Sequence, residues 1–218
     1  MKNNIEELLS IYERFGSKAQ EALDFVKRNM KPAEAVAEGV QSAPGALENG
    51  VYIVYNDGGF AKFDGGNSKD GVAMIGVAYD GHTFGVPLDH DYGQQRLLKE
   101  DEYPSDEHCV DEVDALINWD FVGETEYLKR LGLAFELKEG HYLPTAPVFL
   151  AQYAHREQLN QALAYMGAKE MDFASSRWFC QRYYTHHAWF FHGSSRSLSN
   201  GYAYYSFQVV AVSLWQPN

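Results

Sequence analysis

The chain has 218 residues, a formal net charge of −12, 45% hydrophobic and 15% aromatic residues, so it has ample material for a core and is not globally disordered. From residue 173 onward its only charged side chains are Arg177, Arg182 and Arg196, which leaves −15 on residues 1–172. An acidic body of this kind excludes a general nucleic-acid partner, because phosphate binding needs clustered Lys and Arg.

The length suits one large domain or one domain with an appendage. The start, MKNNIEELLS, lacks the apolar stretch of a signal peptide. No run of about 18 apolar residues occurs, so no membrane insertion is expected. The expectation is synthesis in the cytosol, which is compatible with a destination in a virion. Residues 4–30 read as helix. Ile5, Leu8, Tyr12, Phe15, Ala19, Ala22 and Val26 recur in steps of three and four, as a packed helix or a self-associating stalk requires. Pro32 and then Ser42-Ala43-Pro44-Gly45 mark a linker, so residues 1–48 are set apart from a domain over 49–218.

Within that domain, residues 51–55 and 60–63 flank Asn56-Asp57-Gly58-Gly59, and residues 72–79 and 83–88 flank Asp80-Gly81. Both are hairpin signals. Residues 89–104 read as loop. A short helix is expected around Val110, Val113 and Ile117, and another over 121–131 that stops at Gly132. Thr145 with Pro147 starts a third. Leu159, Ala162, Leu163 and Met166 give an amphipathic stripe that ends at Gly167. The aromatic and β-branched content then predicts strands over 178–181, 188–192, 202–207 and 209–214. The fold class read from this order is α+β.

Cys109 and Cys180 are too few for a disulfide framework or a structural zinc site. Two buried thiols are expected rather than a single bridge, and Cys180, beside Gln181, has no basic activator that would make it a nucleophile. His186, His187 and His192 are close in sequence, but neighbours on a strand face opposite ways and no carboxylate accompanies them. DGGNSKDG at residues 64–71 has the wrong acidic spacing for a calcium loop and reads as a turn. No metal or cofactor is expected, and there is no phosphate-binding glycine loop or serine elbow.

The stretch RYYTHHAWFFHGSSRSLSNGYAYYSF, residues 182–207, contains no Lys, Glu, Asp, Gln or Met. Tyr, Ser, Gly and His are the residues of a recognition surface: Tyr supplies contact area at small entropic cost, and Ser and Gly adapt. In residues 188–192 one face of a strand would be core and the other exposed. The sequence thus points to an exposed aromatic patch rather than to catalysis.

From about Leu143 to Trp215 the chain resembles the variable proteins of diversity-generating retroelements, found in gut Bacteroides-type bacteria and their phages. The carrying residues are Leu143-Pro144-Thr145, the helix from Leu159 to Gly167, Trp178, Ala188-Trp189, Gly201 with its aromatics, and Val209-Val210-Ala211-Val212. The resemblance implies a C-type-lectin-like fold with a helical N-terminal segment, and binding of a protein or glycan ligand on a target surface. It also implies codons that cannot encode Lys, Glu, Gln, Met or Trp at diversified positions. Those positions would be Tyr183, Tyr184, Thr185, His186, His187, Phe190, His192, Ser194, Ser195, Arg196, Tyr202, Tyr204 and Tyr205, with Trp189 a buried scaffold residue. The chain departs from the family's usual pattern at Phe179-Cys180-Gln181 and at Val210. The rival class is an enzyme of the formylglycine-generating type, which shares the fold, or a metal-dependent relative, and a further alternative is a structural relative without diversification. The formylglycine-generating enzymes need a close cysteine pair near the C-terminus, which Cys109 and Cys180 do not supply.

Overall fold

A computed structural model of the protein describes residues 47–99, 111–184 and 186–217. The helix expected over 4–30, the possible stalk and Cys109 lie outside them. The first four strands are β1 (Gly50–Tyr55), β2 (Phe60–Lys62), β3 (Val72–Tyr79) and β4 (His82–Pro87), and they form an antiparallel sheet in the order β2-β1-β3-β4. Both expected hairpins form. Asp80 and Gly81 take φ of 50° and 80° between the paired residues Tyr79 and His82, the two left-handed positions of a tight hairpin turn.

Residues 89–104 were expected to be loop, yet Asp91–Arg96 is a strand, β5. Its sequence DYGQQR has no apolar alternation. It is held from outside, by its ladder to β9 and by Trp178 Nε1, which donates to the Gln95 carbonyl at 3.1 Å. Four helices follow: α1 (Glu112–Ile117), α2 (Phe121–Leu131), α3 (Ala146–Ala154) and α4 (Arg156–Tyr165). The carboxylates of Asp111 and Asp120 cap α1 and α2 by accepting the N–H of Asp114 and Gly123. Gly132, at φ 101°, closes α2 with its N–H on the Leu128 carbonyl.

The remaining strands are β6 (Arg177–Tyr184), β7 (His187–His192), β8 (Ser197–Tyr202) and β9 (Ser206–Val210), in a second sheet of order β5-β9-β6-β7-β8. Strands expected over 202–207 and 209–214 are displaced. The chain is already extended from Ser197 and turns at residues 203–205. After β9 it crosses to the first sheet, bridging Tyr142 through Val212 and Gly85 through Ser213. The Ser-rich run 197–202 looks like loop by composition, but Leu198 and Gly201 are buried between more exposed neighbours.

The main core lies between the sheets and α4. It includes Val51, Ile53, Ile75, Val77, Leu159, Leu163, Trp178, Cys180, Phe190 and Val209. A second core packs α1 and α3 onto the other face of the second sheet, through Leu116, Phe149, Leu150, Phe179, Trp189 and Phe191. On the outer face of the first sheet, Trp215 lies so close over Gly76 that a Cβ there would sit 2.6 Å from its ring. The described domain is α+β.

Candidate functional site

Residues 182–207 form the centre and one edge of the second sheet. β7 lies between β6 and β8, with a core on each face, so residues 188 through 191 are all buried. The expected half-exposed alternation in this strand is therefore corrected. Phe190 is corrected with it: at 5% exposure, stacked on Phe207 at 4.4 Å and edge-on to Trp178 at 5.7 Å, it is a core residue rather than a contact residue. Trp189 is buried as expected, at 3% exposure.

The other candidates divide between the two ends of the β7–β8 hairpin. One end gathers Tyr183, His186, His187, Tyr202, Tyr204 and Tyr205. Tyr202 stacks on Tyr204 at 5.1 Å and lies 4.2 Å from the His187 ring. Tyr205 stands edge-on to both tyrosines, at 5.6 and 5.2 Å. Tyr183 meets Trp189 edge-on at 4.8 Å. Tyr183 and Tyr202 are 39% exposed and Tyr205 45%; His186 is exposed, and His187 and Tyr204 are half-buried. Tyr184 pairs with His187 in the sheet. Thr185 and the Tyr184 side chain lie outside the described structure.

The turn that carries Tyr204 and Tyr205 is firmly tied. The Ala203 N–H donates to the His186 carbonyl at 2.9 Å, its carbonyl accepts from Leu97 at 2.8 Å, and the Tyr205 N–H closes on the Tyr202 carbonyl at 2.9 Å. The phenol rings therefore stand on a fixed backbone, and little ordering remains to be done on binding. Gly201 leaves room for the Phe190 ring, which a Cβ there would meet at 3.1 Å. Burial, with the neighbouring His186 charge, moves the His187 pKa below its ordinary value.

The other end holds His192, Ser194, Ser195 and Arg196, about 17 Å away at roughly 3.3 Å per residue of β7. His192 Nδ1 accepts the Ser195 N–H at 3.3 Å and lies 2.8 Å from Ser195 Oγ, which is 2.7 Å from Ser197 Oγ. Arg196 takes φ 52° in the turn. Gly193 is wedged against residues 174–175, where a Cβ would sit 1.9 Å from the Ala174 carbonyl oxygen. These side chains are exposed or half-buried, but they largely satisfy one another.

Of the three arginines after residue 173, two are interior. Arg177 is fully buried, its guanidinium 5.0 and 5.1 Å from the Phe149 and Phe173 rings, and it donates to the Asp172 carbonyl at 2.6 Å. Burial pulls its pKa down to about 10, against the pull of Asp172 and Asp91. Arg182 is buried beside the Tyr127 hydroxyl. Arg196 remains at the surface. Cys180 is buried in the main core, and desolvation pushes its thiol pKa well up, so it is protonated at neutral pH.

Sequence reasoning missed Ser199 and Asn200, half-buried and exposed on β8, and Phe207, whose half-buried ring joins Tyr205 to Phe190. Clefts of about 520 Å³ beside Arg156 and Asn160 and about 350 Å³ beside Asp89 and His141 are both lined by residues outside the tyrosine cluster. Among the described residues no group of three or more His, Cys, Asp or Glu comes together, and no helix is long and apolar enough to cross a membrane.

No protein-family model matches the chain, and no curated protein does. Among solved structures it is similar to a fimbrial protein from Bacteroides ovatus, at 12% identity and a TM-score of 0.47, over 77% of this chain and 49% of that one. The chain thus spans about half the length of that structure.

Proposed function

We propose that this chain is a ligand-recognition protein rather than an enzyme, and that it reads a protein or glycan on a target surface with the tyrosine-rich end of its second sheet. In this reading residues 49–218 are a C-type-lectin-like domain of the diversity-generating type, and residues 1–48 are an N-terminal helical appendage. The observation that carries it is the cluster of His187, Tyr202, Tyr204 and Tyr205, with rings in contact about a hydrogen-bonded turn, and the exposed Tyr183 and His186 at the same end of the hairpin. No carboxylate lies anywhere in the chain from residue 173 onward. Phenols, imidazoles and Ser or Asn side chains both donate and accept hydrogen bonds, as exposed amphipathic contacts require. The diversified set in this reading loses Phe190.

The experiment is a binding screen of the purified chain against a glycan array and a displayed peptide library. Any ligand found is then titrated against Tyr183→Ala, Tyr202→Ala and Tyr205→Ala. At least one should lose about 2 kcal/mol or more of affinity, the signature of a hot spot, with an unchanged far-UV spectrum. Binding that ignores all three overturns the reading. At the DNA level, a near-copy of the segment encoding residues 180–208, with adenines at the candidate codons and beside a reverse transcriptase gene, tests the diversification separately.

A further inference from the structure

β8 ends the second sheet, and β7 is its strand partner among the described residues. The β7–β8 ladder runs through six consecutive pairs, His187 with Tyr202 to His192 with Ser197, without a register shift. The Ala203 N–H bond to the His186 carbonyl sets the phase of that ladder. Bonded and non-bonded pairs alternate in an antiparallel ladder. Ser197, Ser199 and Gly201 therefore direct their backbone groups to β7, and Leu198, Asn200 and Tyr202 direct theirs outward. Natural sheet edges are usually blunted by charge, proline or a bulge. Ser-Leu-Ser-Asn-Gly-Tyr has no charge and no proline, and its ladder has no bulge.

We propose that this edge pairs with the same edge of a second copy of the chain, antiparallel, about a two-fold axis at Ser199. In that register Leu198 and Asn200 of opposite copies exchange backbone hydrogen bonds. The closest approaches, at non-bonded pairs, fall to Ser199 against Ser199 and Ser197 against Gly201, all small. Like charges do not meet, because the strand carries none. The nearby charge, Arg196, comes opposite the other copy's Tyr202, an exposed phenol ring with no carboxylate beside it in sequence and a favourable neighbour for a guanidinium. The contact is one short strand per copy, well below the roughly 800 Å² per partner of a standard interface, so the dimer is weak and reversible. The pairing stands without the ligand reading, and of the tyrosine cluster it brings Tyr202 to its rim. It makes one continuous sheet with a tyrosine cluster towards either side of the axis, an arrangement suited to two-point attachment.

The test uses the full chain. Sedimentation equilibrium of the wild type should show a mass that rises above the 24.7 kDa monomer as concentration approaches the millimolar range. Asn200→Pro removes an outward N–H and leaves the β7 ladder intact, and it should stay monomeric throughout with an unchanged melting temperature. In a Cys109→Ser background, Ser199→Cys should form a disulfide dimer about ten times faster than Ser197→Cys, since only the former meets its own copy. A wild type that is monomeric at every concentration overturns the proposal. So does Asn200→Pro that associates like the wild type, which would place association on another surface, and so do equal cross-linking rates for the two cysteines.

Discussion

Trp189→Ala, set against Tyr202→Ala and Tyr205→Ala, separates scaffold from reader. Trp189 is 3% exposed and belongs to the core of Phe149, Phe179, Phe191 and Leu198. Truncating a buried Trp removes transfer free energy and leaves a cavity, at a cost of about 3–5 kcal/mol. Against a total stability of about 5–15 kcal/mol that is roughly a fifth or more of the fold. At roughly 2–4 °C per kcal/mol for a chain of this size, the melting temperature should fall by about 6–20 °C. Tyr202 and Tyr205, at 39% and 45% exposure, touch mainly other surface rings, so each truncation should cost about 1 kcal/mol or less, or roughly 2–4 °C. Calorimetry and urea titration of the three variants measure this directly. If either tyrosine variant loses as much as Trp189→Ala, the rings are core, and the recognition reading has lost its foundation.

Gln181→Leu should destabilise by about 2–4 kcal/mol in urea, because Gln181 accepts the Ala146 N–H at 2.9 Å and donates to the Ala115 carbonyl at 2.8 Å, and both groups would be left buried without it. A neutral result would show that this side chain does not clamp α1 and α3 to the sheet. Cys180 should resist a thiol reagent at pH 8 until the protein unfolds. Folding raises its pKa, so the folded state holds the proton more tightly than the unfolded chain. The associated stability is full below the unfolded value of about 8.5 and falls as pH rises past it. Cys180→Ala should flatten that alkaline decline, and an unchanged alkaline limb would contradict the assignment.

Much of the fold was legible because it is locally encoded. Asp80-Gly81, the stop at Gly132, and the stripe from Leu159 to Met166 each carry their structural instruction within a few residues, and each element formed where expected. Expectation failed where the instruction is tertiary. β5 has a loop-like sequence and is a strand because β9 and Trp178 hold it. β7 was expected to show one wet face, but helices that no local pattern ties to it cover that face. Phe190 was misassigned for the same reason: the composition of a segment says which residues occur there, while burial is decided by what packs from elsewhere in the chain.

The candidate patch stands out in composition, but its shape does not. The thirteen candidate residues looked like one surface because they are contiguous in sequence, whereas a hairpin puts its two ends about 17 Å apart. The two ends differ in kind. At the Ser195 end, hydroxyls and the His192 ring bond to one another, and Gly193 is locked against the Ala174 carbonyl, so a ligand there must displace existing bonds for its own. At the tyrosine end backbone bonds from Ala203 and Tyr205 fix the turn, and the rings contribute contact area without having to give up those bonds. Rigid backbone support beneath exposed side chains is the condition under which a surface binds tightly and tolerates changes of residue. On that physical ground the proposed recognition falls to Tyr183, His187, Tyr202, Tyr204 and Tyr205 rather than to the Ser195 end.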